Sequence, residues 1–83
     1  MLILYSKSNC NFCDRAKNLL NSKNIEFTEV KIDEDSANRE WLIEQGHRSV
    51  PQIYLGETLF VEGGFHGLEK LTDAQLRERL YGV

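Results

Sequence analysis

The hydrophobic period of the chain changes twice within its first 32 residues, and this change constrains the fold more than any other feature. Met1–Tyr5 is an uninterrupted apolar run, typical of a short strand that is buried on both faces. Apolar residues then recur every three or four positions, which predicts a helix from about Asn11 to Ser22. Ile25–Ile32 is rich in β-branched and aromatic residues and is predicted as a strand with a local irregularity. The three elements form a βαβ unit with two parallel strands.

A second helix is predicted from about Ser36 to Gln45, because acidic residues precede it and Gly46 follows it. Two further strands are predicted at Gln52–Leu55 and Thr58–Val61. Only Gly56 and one more residue separate these strands, and glycine at the first position of a two-residue loop suits a tight hairpin. We therefore expect the last two strands to be antiparallel neighbours.

The remaining part of the chain is predicted to contain a break and one more helix. Gly63-Gly64 interrupts the pattern, and Thr72 with Gln75 has the spacing of a capping box at a helix start. The predicted order is β-α-β-α-β-β-α, an α/β fold with one four-stranded mixed β-sheet packed by three or four helices. Because 83 residues leave no room for a second core, we expect a single domain over residues 1–83.

Composition argues against several classes of partner. Ten Lys and Arg stand against thirteen Asp and Glu, with no basic cluster, so nucleic acid is a poor candidate. The apolar runs are far shorter than the ~20 residues that span a bilayer, and no charged leader precedes them. We therefore expect a cytoplasmic monomer that binds neither nucleic acid nor membranes.

The chain has two cysteines, Cys10 and Cys13, arranged as Cys-x-x-Cys at the predicted start of the first helix. A disulfide across two residues closes a very short loop and removes little chain entropy, so a chemical role fits better than an architectural one. The N-terminus of a helix presents free N–H groups and positive potential, which favour a thiolate, and Lys7 adds charge. We expect Cys10 to attack a disulfide and the more sheltered Cys13 to resolve the product.

Three other interpretations of the cysteine pair remain open at this point. The two residues are ordinary buried thiols in the first. In the second they bind structural zinc with His47 and His66, whose spacing matches no compact zinc finger. In the third, an iron–sulfur cluster lies between two chains and takes further thiolates from outside.

Three segments of the chain together resemble the small dithiol glutaredoxins, and the resemblance covers nearly the whole chain. It implies the thioredoxin-like fold, a cis peptide bond between Val50 and Pro51, and glutathione as reductant and co-substrate, with no metal. The segments that carry it are Lys7-Ser8-Asn9-Cys10-Asn11-Phe12-Cys13, Arg48-Ser49-Val50-Pro51-Gln52-Ile53 and Gly63-Gly64-Phe65.

The resemblance also implies a binding site for glutathione and disulfide substrates. In that family, positions matching Lys7 and Arg39 hold the glycine carboxylate, and the turn matching Gly63-Gly64 receives the γ-glutamyl end. The backbone of Val50 would pair with the cysteine of the bound thiol. The other candidate binding residues are Phe12, Ser49, Pro51, Phe65 and His66.

These residues have plainer interpretations as well. Lys7 and Arg39 would be solvated surface charges, Gly63-Gly64 a simple chain break, and Phe12 a core residue at helical spacing. His66 would be a solvated polar residue at the start of the last helical segment.

Two positions depart from the family pattern. Asn11 stands where proline is common, which removes a rigid first helical residue. His66 stands where the family usually has an acid that binds the α-amino group of glutathione. The predicted function is glutathione-dependent reduction of protein disulfides or of glutathionylated proteins. The alternatives are a hydrogen donor for ribonucleotide reductase that thioredoxin reductase recharges, and an iron–sulfur-binding module.

Overall fold

The computed structural model describes residues 1–82, which contain a four-stranded sheet and four helices. The strands are β1 (Leu2–Ser6), β2 (Thr28–Lys31), β3 (Gln52–Leu55) and β4 (Thr58–Leu59). The helices are α1 (Asn11–Ser22), α2 (Ser36–Glu44), α3 (Gly64–Glu69) and α4 (Asp73–Tyr81).

The sheet is mixed, as predicted, and has the strand order β2-β1-β3-β4. Strand β1 pairs in parallel with β2 and antiparallel with β3, and β3 forms an antiparallel hairpin with β4. The apolar first strand is therefore central, which explains why its residues are almost all buried. Cys10 follows the end of this central strand by four residues, so the cysteine pair lies beside the middle of the sheet and not at its edge.

Alternation along β1 divides the core into two clusters, one on each face of the sheet. Leu4 points to the larger cluster, where it meets residues of α1, α3 and α4 such as Leu20 and Leu68. Tyr5 points to the other face and packs with Leu42 of α2 and with Tyr54 of β3. Helix α1 is thereby fixed to one face of the sheet, with its N-terminus at the end of β1.

Two strands are shorter than the sequence predicted. Strand β2 begins at Thr28 because the chain is still leaving α1 at Ile25, whose N–H donates to the carbonyl oxygen of Leu20 at 3.0 Å. Strand β4 ends at Leu59 because Phe60 and Val61 are both buried in the larger cluster. Consecutive residues of a strand point to opposite faces, so two neighbours in one cluster require the chain to turn.

The order predicted from the sequence had one helix after the hairpin, whereas the structure has two. Helix α3 begins at Gly64, within the glycine pair that was interpreted as a chain break. The three-residue spacing of Phe65 and Leu68 is a helical signal that the glycines obscured. Helix α4 starts with the predicted capping box between Thr72 and Gln75. In the described part of the chain no helix is long and apolar enough to cross a bilayer.

Candidate active site

Cys10 is the N-cap residue of α1, and Cys13 lies one turn inside the helix. The backbone N–H of Cys13 donates a hydrogen bond to the Cys10 Sγ at 3.2 Å, so sulfur takes the place of the usual capping oxygen. Cys10 is 9% exposed and Cys13 is fully buried, and the two form a disulfide. The outer and inner positions match those expected for an attacking and a resolving thiol.

The turn before β3 lies against Cys10. The Cys10 Sγ is 3.9 Å from the carbonyl oxygen of Val50, and the Val50-Pro51 peptide bond is cis, as the resemblance implied. Ser49 is exposed and Val50 is half-buried. The side-chain amide of the buried Gln52 donates to the Ser49 carbonyl oxygen at 2.9 Å and holds this turn in place. This role of Gln52 was not predicted from the sequence, where a polar residue at the start of an otherwise apolar strand was the available signal.

Gly63 and Gly64 lie on the other side of Pro51. Both have positive φ angles, +85° and +58°, which L side chains rarely adopt. A Cβ at Gly64 would come within 2.7 Å of the Pro51 carbonyl oxygen, so this position has neither the backbone nor the space for a side chain. The start of α3 can therefore pack directly against the turn that faces Cys10.

Phe12, between the two cysteines, is 43% exposed, so the alternative that made it a core residue is wrong. Its ring lies 5.0 Å from the ring of His66 and 6.1 Å from that of Phe65, both in α3. The guanidinium of Arg15 lies 5.4 Å from the centre of the Phe12 ring, a cation–π distance. The Nδ1 atom of His66 is 3.7 Å from a carboxylate oxygen of Glu69. His66 thus faces the cysteine motif from α3 and has an acid beside it.

Lys7 and Arg39 border one small cavity of about 280 Å³ together with Val50 and Ser49. Both cations are exposed, and neither forms an ion pair with another of the described residues. Arg48 borders the same cavity and was not singled out from the sequence. Its place directly before Ser49 was the available signal. A larger groove of about 980 Å³ lies at the opposite end of α1, away from the cysteines.

A partly buried polar network holds α1 to the first two strands. The hydroxyl of Ser6, fully buried at the end of β1, donates to Glu29 Oε2 at 2.7 Å, and Lys17 Nζ lies 3.0 Å from the same oxygen. The Ser6 hydrogen bond is the main cause that lowers the pKa of Glu29, and the Lys17 contact lowers it further. The hydrogen bond to Glu29 in turn raises the pKa of Lys17. Lys17 is one helical turn beyond Cys13, so the network fixes the cysteine-bearing helix.

The two histidines of the zinc hypothesis have other contacts. His47 hydrogen bonds with the Tyr54 hydroxyl, and His66 packs on Phe12. Among residues 1–82, no group of three or more His, Cys, Asp or Glu side chains is arranged to hold a metal ion.

Comparison with known proteins identifies the family. A family model described as Glutaredoxin matches residues 2–60. Glutaredoxin 3 of Escherichia coli K12 is 45% identical over 53 residues, which are 63% of this chain and 64% of that protein. The alignment thus spans slightly less than two thirds of that relative's length. The glutaredoxin-like protein NrdH of Lactococcus lactis subsp. cremoris is 42% identical over 53 residues, 64% of this chain and 74% of that protein.

Solved structures of glutaredoxins have a similar fold. A crystal structure of a buckwheat glutaredoxin–glutathione complex superposes with a TM-score of 0.77 and 27% identity, covering 98% of this chain and 76% of that one. The four-stranded mixed sheet with its four helices is the thioredoxin-like fold that the resemblance implied. The family model, which spans well over half of the chain, and the Cys-x-x-Cys pair at the start of α1 lead to one conclusion: the chain belongs to the glutaredoxin family.

Proposed function

We propose that the protein is a thiol–disulfide oxidoreductase in which Cys10 is the nucleophile and Cys13 the resolving thiol. The observation that carries this proposal is the hydrogen bond from the Cys13 N–H to the Cys10 Sγ at the N-terminus of α1. In the reduced protein the same N–H and the positive end of the helix favour a thiolate at Cys10. A thiolate at Cys10, which is 9% exposed, can reach the disulfide of a substrate that approaches from solvent, whereas the fully buried Cys13 cannot.

The reaction proceeds by two exchanges. The Cys10 thiolate attacks one sulfur of the substrate disulfide, the substrate S–S bond breaks, and the other sulfur leaves as a thiolate that takes up a proton. Cys13 then loses its proton and attacks the Cys10 Sγ, which closes the Cys10–Cys13 disulfide and releases the second substrate thiol. Two electrons pass from the protein to the substrate, and the oxidised protein needs a reductant.

Glutathione is the proposed reductant and co-substrate. The exposed edge of Ser49 and Val50 beside Cys10 is available for strand-like pairing with a bound thiol. Lys7 and Arg39 offer charge for a carboxylate on one side, and the start of α3 offers N–H groups on the other. The structural relative from buckwheat was solved as a complex with glutathione, which supports the same ligand here. Glutathionylated proteins and protein disulfides are the proposed substrates.

A second candidate follows from His66. An ammonium group prefers a carboxylate partner, and His66 supplies an imidazole where the family usually has an acid. The absence of a carboxylate at this position favours a different function, that of a hydrogen donor for ribonucleotide reductase that thioredoxin reductase recharges. The similarity to the Lactococcus lactis protein named glutaredoxin-like NrdH supports keeping this candidate.

A recycling assay separates the two candidates. The oxidised protein is mixed with NADPH and either glutathione plus glutathione reductase or thioredoxin reductase alone, and a disulfide substrate is added. We expect sustained NADPH consumption with the glutathione system and little with thioredoxin reductase. The reverse result would replace the first candidate by the second. Cys10→Ser, which keeps an N-cap oxygen, is the inactive control, and activity in that variant would contradict both candidates.

A further inference from the structure

The loop that leads into Cys10 is hydrogen-bonded to the residue that follows the end of β2 by two positions. Residues 7–9 connect β1 to Cys10, and within residues 1–82 Asp33 is their one hydrogen-bonding partner. The backbone N–H of Ser8 donates to both carboxylate oxygens of Asp33, at 3.3 Å each. The Ser8 hydroxyl is the main cause that holds the pKa of Asp33 below its ordinary value of 3.8, and the Ser8 N–H lowers it further. Asp33 is therefore a charged acceptor at neutral pH.

Strand register brings Asp33 to this loop. Strands β1 and β2 are parallel, with Ser6 opposite Lys31, and the N–H of Ile32 donates to the Ser6 carbonyl oxygen at 2.8 Å. Ser8 and Asp33 each lie two residues beyond this last pair of the register. The contact between them therefore extends the alignment of the two strands into the loop before the cysteines.

Asn9, which separates Ser8 from Cys10, has a left-handed backbone with a φ of +58°. Residues other than glycine enter this region at a cost, although asparagine tolerates it better than most. The next residue, Cys10, is extended (φ −110°, ψ 108°), and α1 begins directly after it. Without the contact at Ser8, Asn9 would relax toward a commoner backbone conformation, and Cys10 would move with it.

The placement of Cys10 determines the contacts of its sulfur. The Cys13 N–H donates to the Cys10 Sγ at 3.2 Å, and the Val50 carbonyl oxygen lies 3.9 Å from the same atom. The first N–H groups of a helix have no partner inside the helix, so a first turn opens easily when its cap is not held. Opening at Cys10 would withdraw the N–H that stabilises a thiolate there.

We propose that Asp33 is a positioning residue for thiol–disulfide exchange: its contact with Ser8 fixes the loop before Cys10 and keeps the Cys10 sulfur on the Cys13 N–H. The inference rests on the proposed role of Cys10 as the nucleophile. Asp33 acts through Ser8 and Asn9 and needs no contact with the reacting sulfur. Its negative charge disfavours a nearby thiolate, whereas its hydrogen bonds favour one, so the two effects can be separated by substitution.

Three variants separate the contact from the charge. Asp33→Ala removes both, and Asp33→Asn removes the charge but keeps a carbonyl oxygen that can accept from the Ser8 N–H. Glu34→Ala is the matched control, because it removes one exposed negative charge from the same turn. Within residues 1–82 the Glu34 side chain forms no ion pair.

Each reduced variant is mixed with dipyridyl disulfide, a neutral substrate that does not need the charge of Lys7. The Cys10 thiolate attacks one sulfur, the S–S bond breaks, and the released thiopyridone is followed by absorbance. Cys13 then loses its proton and displaces the second thiopyridone, which closes the Cys10–Cys13 disulfide. The pH dependence of the first rate gives the midpoint at which the Cys10 thiolate forms. Amide hydrogen exchange at Cys13 in the reduced protein reports opening of the first helical turn.

We expect Asp33→Ala to raise this midpoint by about half a unit to one unit and to slow the exchange about three- to tenfold below the midpoint, where one unit is a tenfold change in thiolate. Amide exchange should become faster at Cys13 and stay unchanged in the rest of the sheet and helices. Asp33→Asn should keep most of the wild-type rate, because the amide oxygen still accepts from Ser8. Glu34→Ala should react as fast as the wild type or slightly faster, because a negative charge is gone.

The outcomes separate this inference from the proposed function. Equal rates and midpoints in Asp33→Ala and Glu34→Ala, or a rate in Asp33→Asn as low as in Asp33→Ala, would overturn the inference and leave the exchange reaction intact. Faster amide exchange throughout Asp33→Ala would also overturn it, because Asp33 would then stabilise the whole fold rather than the start of α1. No thiopyridone release from the wild-type protein would contradict the proposed function itself, and amide exchange at Cys13 would still test the contact.

Discussion

The backbone N–H of Cys13 donates its hydrogen bond to the Sγ of Cys10, a residue that also caps the helix in which Cys13 lies. The Cys10 sulfur therefore caps α1 and also belongs to the more exposed of the two cysteines, the one proposed to attack the substrate. Because an oxygen can perform the first role and not the second, the two roles can be separated by substitution.

Cys10→Ser should abolish thiol transfer to every substrate, since the nucleophile is lost, while the serine keeps α1 capped and the fold intact. Cys13→Ser should retain removal of glutathione from glutathionylated substrates and lose reduction of protein disulfides, which needs the second thiol. Both variants are assayed with one glutathionylated peptide and one protein disulfide. If the two variants lose both activities equally, the assignment of attacking and resolving thiols is wrong.

His66→Asp should lower the apparent KM for glutathione about three- to tenfold at pH 7. A carboxylate beside the motif gains a charge-assisted hydrogen bond with an ammonium group, worth ~1.5 to 3 kcal/mol, part of which solvent screening removes. His66→Asn is the matched control, because it is similar in size to Asp and uncharged. An unchanged KM in His66→Asp, or an equal decrease in His66→Asn, would show that the lack of an acid at position 66 does not determine the KM for glutathione.

The network of Ser6, Glu29 and Lys17 should make stability depend on pH on the acid side. The folded protein holds the pKa of Glu29 below its ordinary value of 4.5, mainly through the Ser6 hydroxyl. The unfolded chain therefore binds a proton first as the pH falls, so this stabilisation is present above about pH 4.5 and is lost progressively as the pH falls from there through the lower pKa of the folded protein.

Ser6→Ala should lower the free energy of unfolding at pH 7 by ~1 to 2 kcal/mol, because the half-buried carboxylate of Glu29 loses one of its two donors. Glu29→Gln should flatten the loss of stability as the pH falls from 5 to 3, since an amide does not titrate in this range. Urea unfolding at several pH values, followed by the fluorescence of Trp41, measures both effects. Ser22→Ala, at an exposed position of α1, is the control for Ser6→Ala.

Gly64→Ala should destabilise the protein by ~3 kcal/mol or more, because the new Cβ meets the Pro51 carbonyl oxygen in a left-handed backbone conformation. Gly56→Ala is the matched control: its φ of +63° is similar, and nothing lies within 4 Å of its Cβ position. It should cost only ~1 kcal/mol. Urea midpoints at pH 7 give the difference, and equal costs would show that the start of α3 tolerates a side chain against Pro51.

Sequence patterns predicted much of the fold because its strongest signals are local. The bounds of α1 were predicted correctly, since an amphipathic period and an N-capping position both lie within the segment itself. Helix α3 was missed because Gly63-Gly64 was interpreted as a break, whereas positive φ angles at those two residues let the chain enter a helix. The predicted start of β2 at Ile25 failed because that residue is held by the end of α1.

The sequence by itself determined the family, the mixed character of the sheet and the place of Cys10 and Cys13 at the start of α1, because hydrophobic periodicity, capping and motif spacing are visible along the chain. The strand order β2-β1-β3-β4 was decided by the tertiary structure. Only the tertiary structure decided which distant polar residues meet. Ser6 reaches Glu29 because the parallel register places Leu4 beside Glu29 on the same face. The packing of α2 and of the turn before β3 likewise brings Arg39 and Arg48 to the cavity that Lys7 borders. Exposed charged side chains have no period that reveals their neighbours, so their contacts follow from strand register and helix packing alone.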